Sequence, residues 1–236
     1  MFRFPPLTPV VKKLLIALFG TWIAQILLQN WLEIPVFEFL ALNTGQLGPH
    51  TLWQLATHVF AAPTGPNYVF SMLLALVFLW LMLAPFEQRF GPKRTIQLCI
   101  AAVLASATAG IVVGLFLSTP QKLFGANSML LGSIAAFAWS YRGQGTMSFF
   151  GVIDMKPVHI IYLVVALSAL MFITSGDAVS FFADLGAIGG GIAFIEWLKR
   201  PPGKRRRARK PRKPKKRKGA LEVVEGGRPE ERRWLN

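Results

Sequence analysis

A handful of polar side chains interrupt long apolar runs in this chain, and they are the ones able to do chemistry. Gly125-Ala126-Asn127-Ser128 opens one such run. Ser128 carries a hydroxyl that could attack a carbonyl, provided a base stands within hydrogen-bond reach. Asn127 can donate or accept a hydrogen bond, but its amide lone pair is delocalised and does not attack. One helical step turns a side chain by about 100°, so Ser128 points away from wherever Asn127 points. Asn67 and Ser71 stand four residues apart, on one helix face. Asp184 lies within an apolar run. A carboxylate there costs about 2.5 to 3.5 kcal/mol or more, so it is expected to face the bundle interior or a water-filled cavity, the alternative being a place near the outer surface where it is simply hydrated. Glu196, close to Lys199 and Arg200, reads as interfacial. His50, His58 and His159 are scattered, with no acidic cluster, and predict neither a metal site nor a base for Ser128. Cys99 is the only cysteine, which excludes an intrachain disulfide and predicts a buried apolar side chain. No cofactor is expected.

The elements that must position these groups are membrane helices. Of the 236 residues, 53% are hydrophobic, gathered in long runs with almost no charge. A bilayer core needs roughly 20 apolar residues per helix. Residues 11–30, 67–84 and 95–118 meet this plainly, while 124–141, 158–174 and 179–197 are shorter or richer in Gly, Ala and Ser. The sequence therefore predicts an all-α membrane protein with six transmembrane helices. Lys12 and Lys13 before the first run resemble a signal peptide, but no small-x-small cleavage site follows before Trp31.

Lys and Arg positions give the orientation, because basic loops stay cytoplasmic. Arg3, Lys12 and Lys13 flank the first span, whereas 31–66 holds no Lys or Arg. Arg89, Lys93 and Arg94 follow the second span and Lys122 alone follows the third. Arg142 and Lys156 follow the fourth, nothing basic follows the fifth, and the tail is densely basic. The alternation predicts both termini in the cytoplasm of a multi-pass protein, with a bacterial inner membrane as the expected location.

Three regions follow: a cytoplasmic lead (1–9), a membrane domain (10–198) and a basic tail (199–236) read as disordered. The formal net charge of +15 misleads, since 199–218 carries fourteen Lys or Arg and no acid, leaving the rest close to neutral. Lys204, Arg205, Arg206, Arg207 and Lys210 are the expected contacts with anionic lipid headgroups. The same field would attract nucleic acid, but the run lacks aromatic residues to stack on bases. It could also serve only as a topology anchor. The aromatic and aliphatic segment 31–66 reads as interfacial.

Small residues at helical spacing mark two spans: Gly125, Ser128, Gly132, Ala135 and Ala136 on the fourth, Ala183, Gly186, Ala187 and Gly190 on the sixth. Such faces permit close backbone approach, and predict that these two helices touch at the bundle centre.

Several of these pieces, in order, resemble the rhomboid family of intramembrane serine proteases. Trp53-Gln54-Leu55 and Phe60, then Phe70-Ser71-Met72-Leu73, are similar to its WxL…F…FNML passage. Glu87-Gln88-Arg89-Phe90-Gly91 is similar to its cytoplasmic turn, and Ala183-Asp184-Leu185-Gly186-Ala187 with Gly190 to its sixth helix. The tetrad at Gly125 resembles its Gly-x-Ser-Gly motif, and the likeness covers roughly 10–198. It implies a six-helix rhomboid-like bundle. It also implies that Asn127 fills the place of the nucleophilic serine, Asp184 that of the histidine base, and Asn67 and Ser71 those of the His-xxx-Asn pair holding the oxyanion. The resemblance then points to a catalytically degenerate member that binds transmembrane clients. Within it, Asp184 is expected to hydrogen-bond Asn127 across the fourth and sixth helices. The alternatives are an active endopeptidase using Ser128, and a membrane scaffold acting through its tail.

Overall fold

The structure is a computed structural model and describes residues 5–45, 48–49, 51–117, 121–143, 145, 147–149 and 153–200. The tail expectation, with Lys204, Arg205, Arg206, Arg207 and Lys210, lies outside the described residues, as does His50.

The described residues form eight α-helices joined by short connections: α1 (Pro9–Trp31), α2 (Val36–Leu40), α3 (Thr51–Thr57), α4 (Asn67–Phe90), α5 (Pro92–Leu117), α6 (Asn127–Ser140), α7 (Pro157–Ser175) and α8 (Ala178–Lys199). A 3₁₀ turn, His58–Phe60, continues α3. Four short strands occur in the connections among the described residues. Strand β1 (Leu42–Asn43) pairs antiparallel with β2 (Lys122–Leu123), and β3 (Met147–Phe149) with β4 (Ile153–Met155). Among the described residues, five helices are long and apolar enough to cross a membrane: α1, α4, α5, α7 and α8. Together they make a helical, multi-pass integral membrane protein.

The predicted span at 124–141 takes another form. Helix α6 has 14 residues, roughly 21 Å at 1.5 Å per residue, short of a bilayer core of about 30 Å. Its start is delayed by Gly125, whose φ of +85° suits glycine. The Gly125 N–H donates instead to the His58 carbonyl at 2.9 Å. The rest of α6 is the centre of the bundle, with Met129, Ser133, Ala136 and Ala138 buried.

Small residues account for that centre. A Cβ on Gly191 would fall on the Gly132 carbonyl, so α6 and α8 meet backbone to backbone, as their small-residue faces predict. However, Gly186 and Gly190 face α5, where added Cβ atoms would lie 2.6 Å from Ala105 atoms. Helix α8 is thus small on two sides and is clasped by both α5 and α6, not by α6 alone.

Polar groups fasten the periphery. Glu87 near the end of α4 is buried and accepts from the Thr8 hydroxyl, from Val11 N–H at 3.0 Å and from Val10 N–H at 3.1 Å. A helix start leaves its first N–H groups without intrahelical partners, and Glu87 satisfies two of them for α1. Gly91 then turns α4 into α5 at a φ of +83°. Gln25 of α1 is buried, donates to the Phe60 carbonyl and accepts from Ala62 N–H at 3.1 Å. The segment predicted to be interfacial is tied to itself through Trp53 Nε1, which donates to the Phe39 carbonyl at 3.2 Å, and through Thr57 Oγ1, which donates to that of Leu40 at 3.3 Å. It turns Trp31, Leu52 and Phe39 outward.

Candidate functional site

Asp184 sits in the second turn of α8, and both of its oxygens are engaged. Asn127 Nδ2 donates to Oδ1 at 2.9 Å, and Ser168 Oγ of α7 donates to Oδ2 at 2.9 Å. The expected bond between Asn127 and Asp184 is therefore present, and a third helix joins it. Asn127 is the first residue of α6, so the carboxylate lies against the positive end of that helix dipole, which favours an anion.

These three side chains line a cavity of about 460 Å³ between α4, α6 and α7. Its remaining walls are apolar, with Phe78 and Met82 from α4, Leu131 and Ile134 from α6, and Leu163 and Leu167 from α7 among them. Helix α6 packs against both α4 and α7, so it forms the floor while the other two form the sides. Leu163, Leu167 and Met171 are more than half exposed, which leaves the cavity open to the side.

The other site residues predicted from sequence fall elsewhere. Asn67 and Ser71 occupy the first turns of α4, are exposed and do not line the cavity. Ser128 is buried and does not line the cavity, and its hydroxyl oxygen has no hydrogen-bond partner among the described residues. Cys99 is buried on α5. His159 is exposed on the first turn of α7. Glu196 accepts from Trp139 Nε1 at 2.6 Å and pairs with Arg142, whose guanidinium lies over the Trp139 ring.

His58 plays a part that its place in a connecting segment conceals. It is 2% exposed, with Nδ1 at 3.1 Å from both the Gln54 and Leu55 carbonyls. Its own carbonyl holds Gly125 N–H. Burial pushes its imidazole pKa below the ordinary 6.5, since the charged form would lose water. The backbone carbonyl of His58 thus ties down the approach to α6, two residues before Asn127.

Ser168 was not anticipated from sequence. A signal existed in its being the only polar side chain between Tyr162 and Thr174.

Chemically the arrangement binds more readily than it reacts. Asn127 and Ser168 present donors, and Asp184 presents a carboxylate with lone pairs still free. The one serine hydroxyl in the cavity, Ser168, meets a carboxylate and no imidazole. A model of the Rhomboid domain matches residues 49–200 of the chain, which include every residue of this cavity. No curated protein gives a significant match.

Proposed function

The chain belongs to the rhomboid family, and from that premise we propose that it is a rhomboid-like pseudoprotease, holding transmembrane client segments without cleaving them. The observation that supports this most directly is the bond from Asn127 to Asp184. By the motif resemblance those two positions are the family's nucleophile and base. An amide in the place of the nucleophile brings no activated hydroxyl or thiol with which to form an acyl-enzyme. Losing a nucleophile or base alone can lower turnover about a millionfold.

Clients enter between α4 and α7, along the open side of the cavity. Its apolar walls suit the flank of a transmembrane helix. Asp184 suits a client carrying a hydrogen-bond donor within that helix, because an intramembrane carboxylate gains from any donor that reaches it. Helix α6 with its extended approach makes the sixth crossing in this reading, and both termini face the cytoplasm, as the basic loops indicate. The membrane is the bacterial inner membrane, and the basic tail meets anionic headgroups through Lys204, Arg205, Arg206, Arg207 and Lys210.

The test is a serine-reactive fluorophosphonate probe applied to the purified protein. No labelling is expected. Labelling that disappears in Ser128→Ala or Ser168→Ala would overturn the proposal and name the nucleophile.

A further inference from the structure

A second cavity, of about 210 Å³, lies on another side of the bundle, where α1 and α5 stand apart. Helix α1 leans mainly on α4 and meets α5 only lightly. The gap between them is floored by Cys99 and Val103 of α5, Met129 of α6 and Val59, all buried. Its rim is Ile96, Ile100 and Leu104, each between 42% and 53% exposed. Val10 and Leu14 form the facing edge. From Ile96 to Leu104 the groove runs roughly 12 Å along α5, at 1.5 Å per residue.

The surroundings of this groove are hydrocarbon, because both flanking helices are long and apolar enough to cross a membrane. The groove is apolar along its length, so its filler must be apolar and must end in something that suits the groove's mouth. That mouth is basic. Lys13 stands three residues after Val10 and Lys93 three residues before Ile96, which places each one helical turn from a rim residue. Both lysines are exposed, and neither forms an ion pair among the described residues. Lys12 is exposed beside them. Arg94 is engaged with Gln97 and lies over the Trp197 ring. Glu87, bonded to the backbone of Val10 at the groove's edge, has both oxygens turned to Thr8, Val10 and Val11.

We infer that the α1–α5 groove is a binding site for an anionic phospholipid, with one acyl chain lying along Ile96, Ile100 and Leu104 and the phosphate held by Lys13 and Lys93. The site is separate from the cavity at Asp184 and does not depend on what that cavity binds. It also differs from the basic tail, whose expected contact with lipid rests on charge alone.

The test uses the full-length protein in phosphatidylcholine vesicles containing phosphatidylglycerol with a photoreactive group midway along one acyl chain. Adducts are mapped by mass spectrometry, which separates groove labelling from any lipid drawn to the tail. Adducts are expected to concentrate at Leu14 and between Cys99 and Leu104. The double variant Lys13→Glu, Lys93→Glu should lower this labelling about tenfold, with its melting temperature unchanged. Cys99→Phe, which fills the floor, should lower it without altering the charge. Phosphatidylcholine carrying the same reactive chain should label lipid-facing side chains of α4, α5 and α7 evenly. The proposal is overturned if phosphatidylcholine labels the groove as strongly, or if charge reversal changes nothing. A groove free of lipid adducts, as it would be with a second copy seated on it, overturns it equally.

Discussion

At the scale of single residues, the question is how much the Asn127–Asp184 bond contributes. Hydrogen bonds between membrane helices average about 0.6 kcal/mol and reach roughly 1.7. A double-mutant cycle of Asn127→Ala and Asp184→Ala, read by unfolding in detergent, should give a coupling energy in that range. Strict additivity would mean that the pair contributes nothing. His58 makes a prediction of the opposite kind, about charge. Its folded pKa is depressed below 6.5, so below that pH the unfolded chain takes up a proton that the folded chain refuses. Stability is then complete above the ordinary histidine value and falls as pH drops beneath it, by up to about 1.4 kcal/mol per pH unit. Melting temperatures between pH 8 and pH 5 should show that decline, and His58→Gln should flatten it. The Asp184 bond was legible in the sequence because a carboxylate in a span demands partners. Ser168 was not, because serines in helices commonly bond their own preceding turn, as Ser133 and Ser140 do here with Leu130 and Ala136. Its isolation in an apolar run marks Ser168 as unusual, but only the meeting of α7 with α8 shows which group it serves.

Among elements, the small-residue faces of α6 and α8 were readable as spacing, and they meet as the spacing predicts. That Gly186 and Gly190 belong to α5 instead was not readable, since a stripe shows which face is small and not which neighbour lies against it. The contact of Gly191 with the Gly132 carbonyl leaves no room for a side chain. Gly191→Val should therefore cost about 1 to 3 kcal/mol or more by overpacking, seen as a lower melting temperature and lower yield in detergent. Gly189, with nothing within 4 Å of its would-be Cβ, is the control; Gly189→Ala should change little. Equal effects at the two positions would show that the close approach is not what binds α6 to α8. The length of α6 escaped the sequence for a related reason. Residues 124–126 are small or apolar and continue the run, while the positive φ of Gly125 and its bond to His58 go with a later helix start.

For the molecule as a whole, six crossings and five differ in parity: an even number returns the chain to the side where it began. In a Cys99→Ser background, single cysteines at Thr8 and Ala220 should react with an impermeant maleimide from the same side of oriented vesicles, and one at Thr64 from the other. Reaction of Thr8→Cys and Ala220→Cys from opposite sides would remove α6 as a crossing. The membrane class and the family were legible from the order of the spans and motifs alone. The acidic residue of one of those motifs was read only as part of a turn. Its partners lie 76 to 79 positions earlier in the chain, beyond the reach of any local pattern. During synthesis, then, the first helix leaves the ribosome before the carboxylate that receives its leading amides has been made. An untimely stop before Glu87 would leave the opening segment without that anchor.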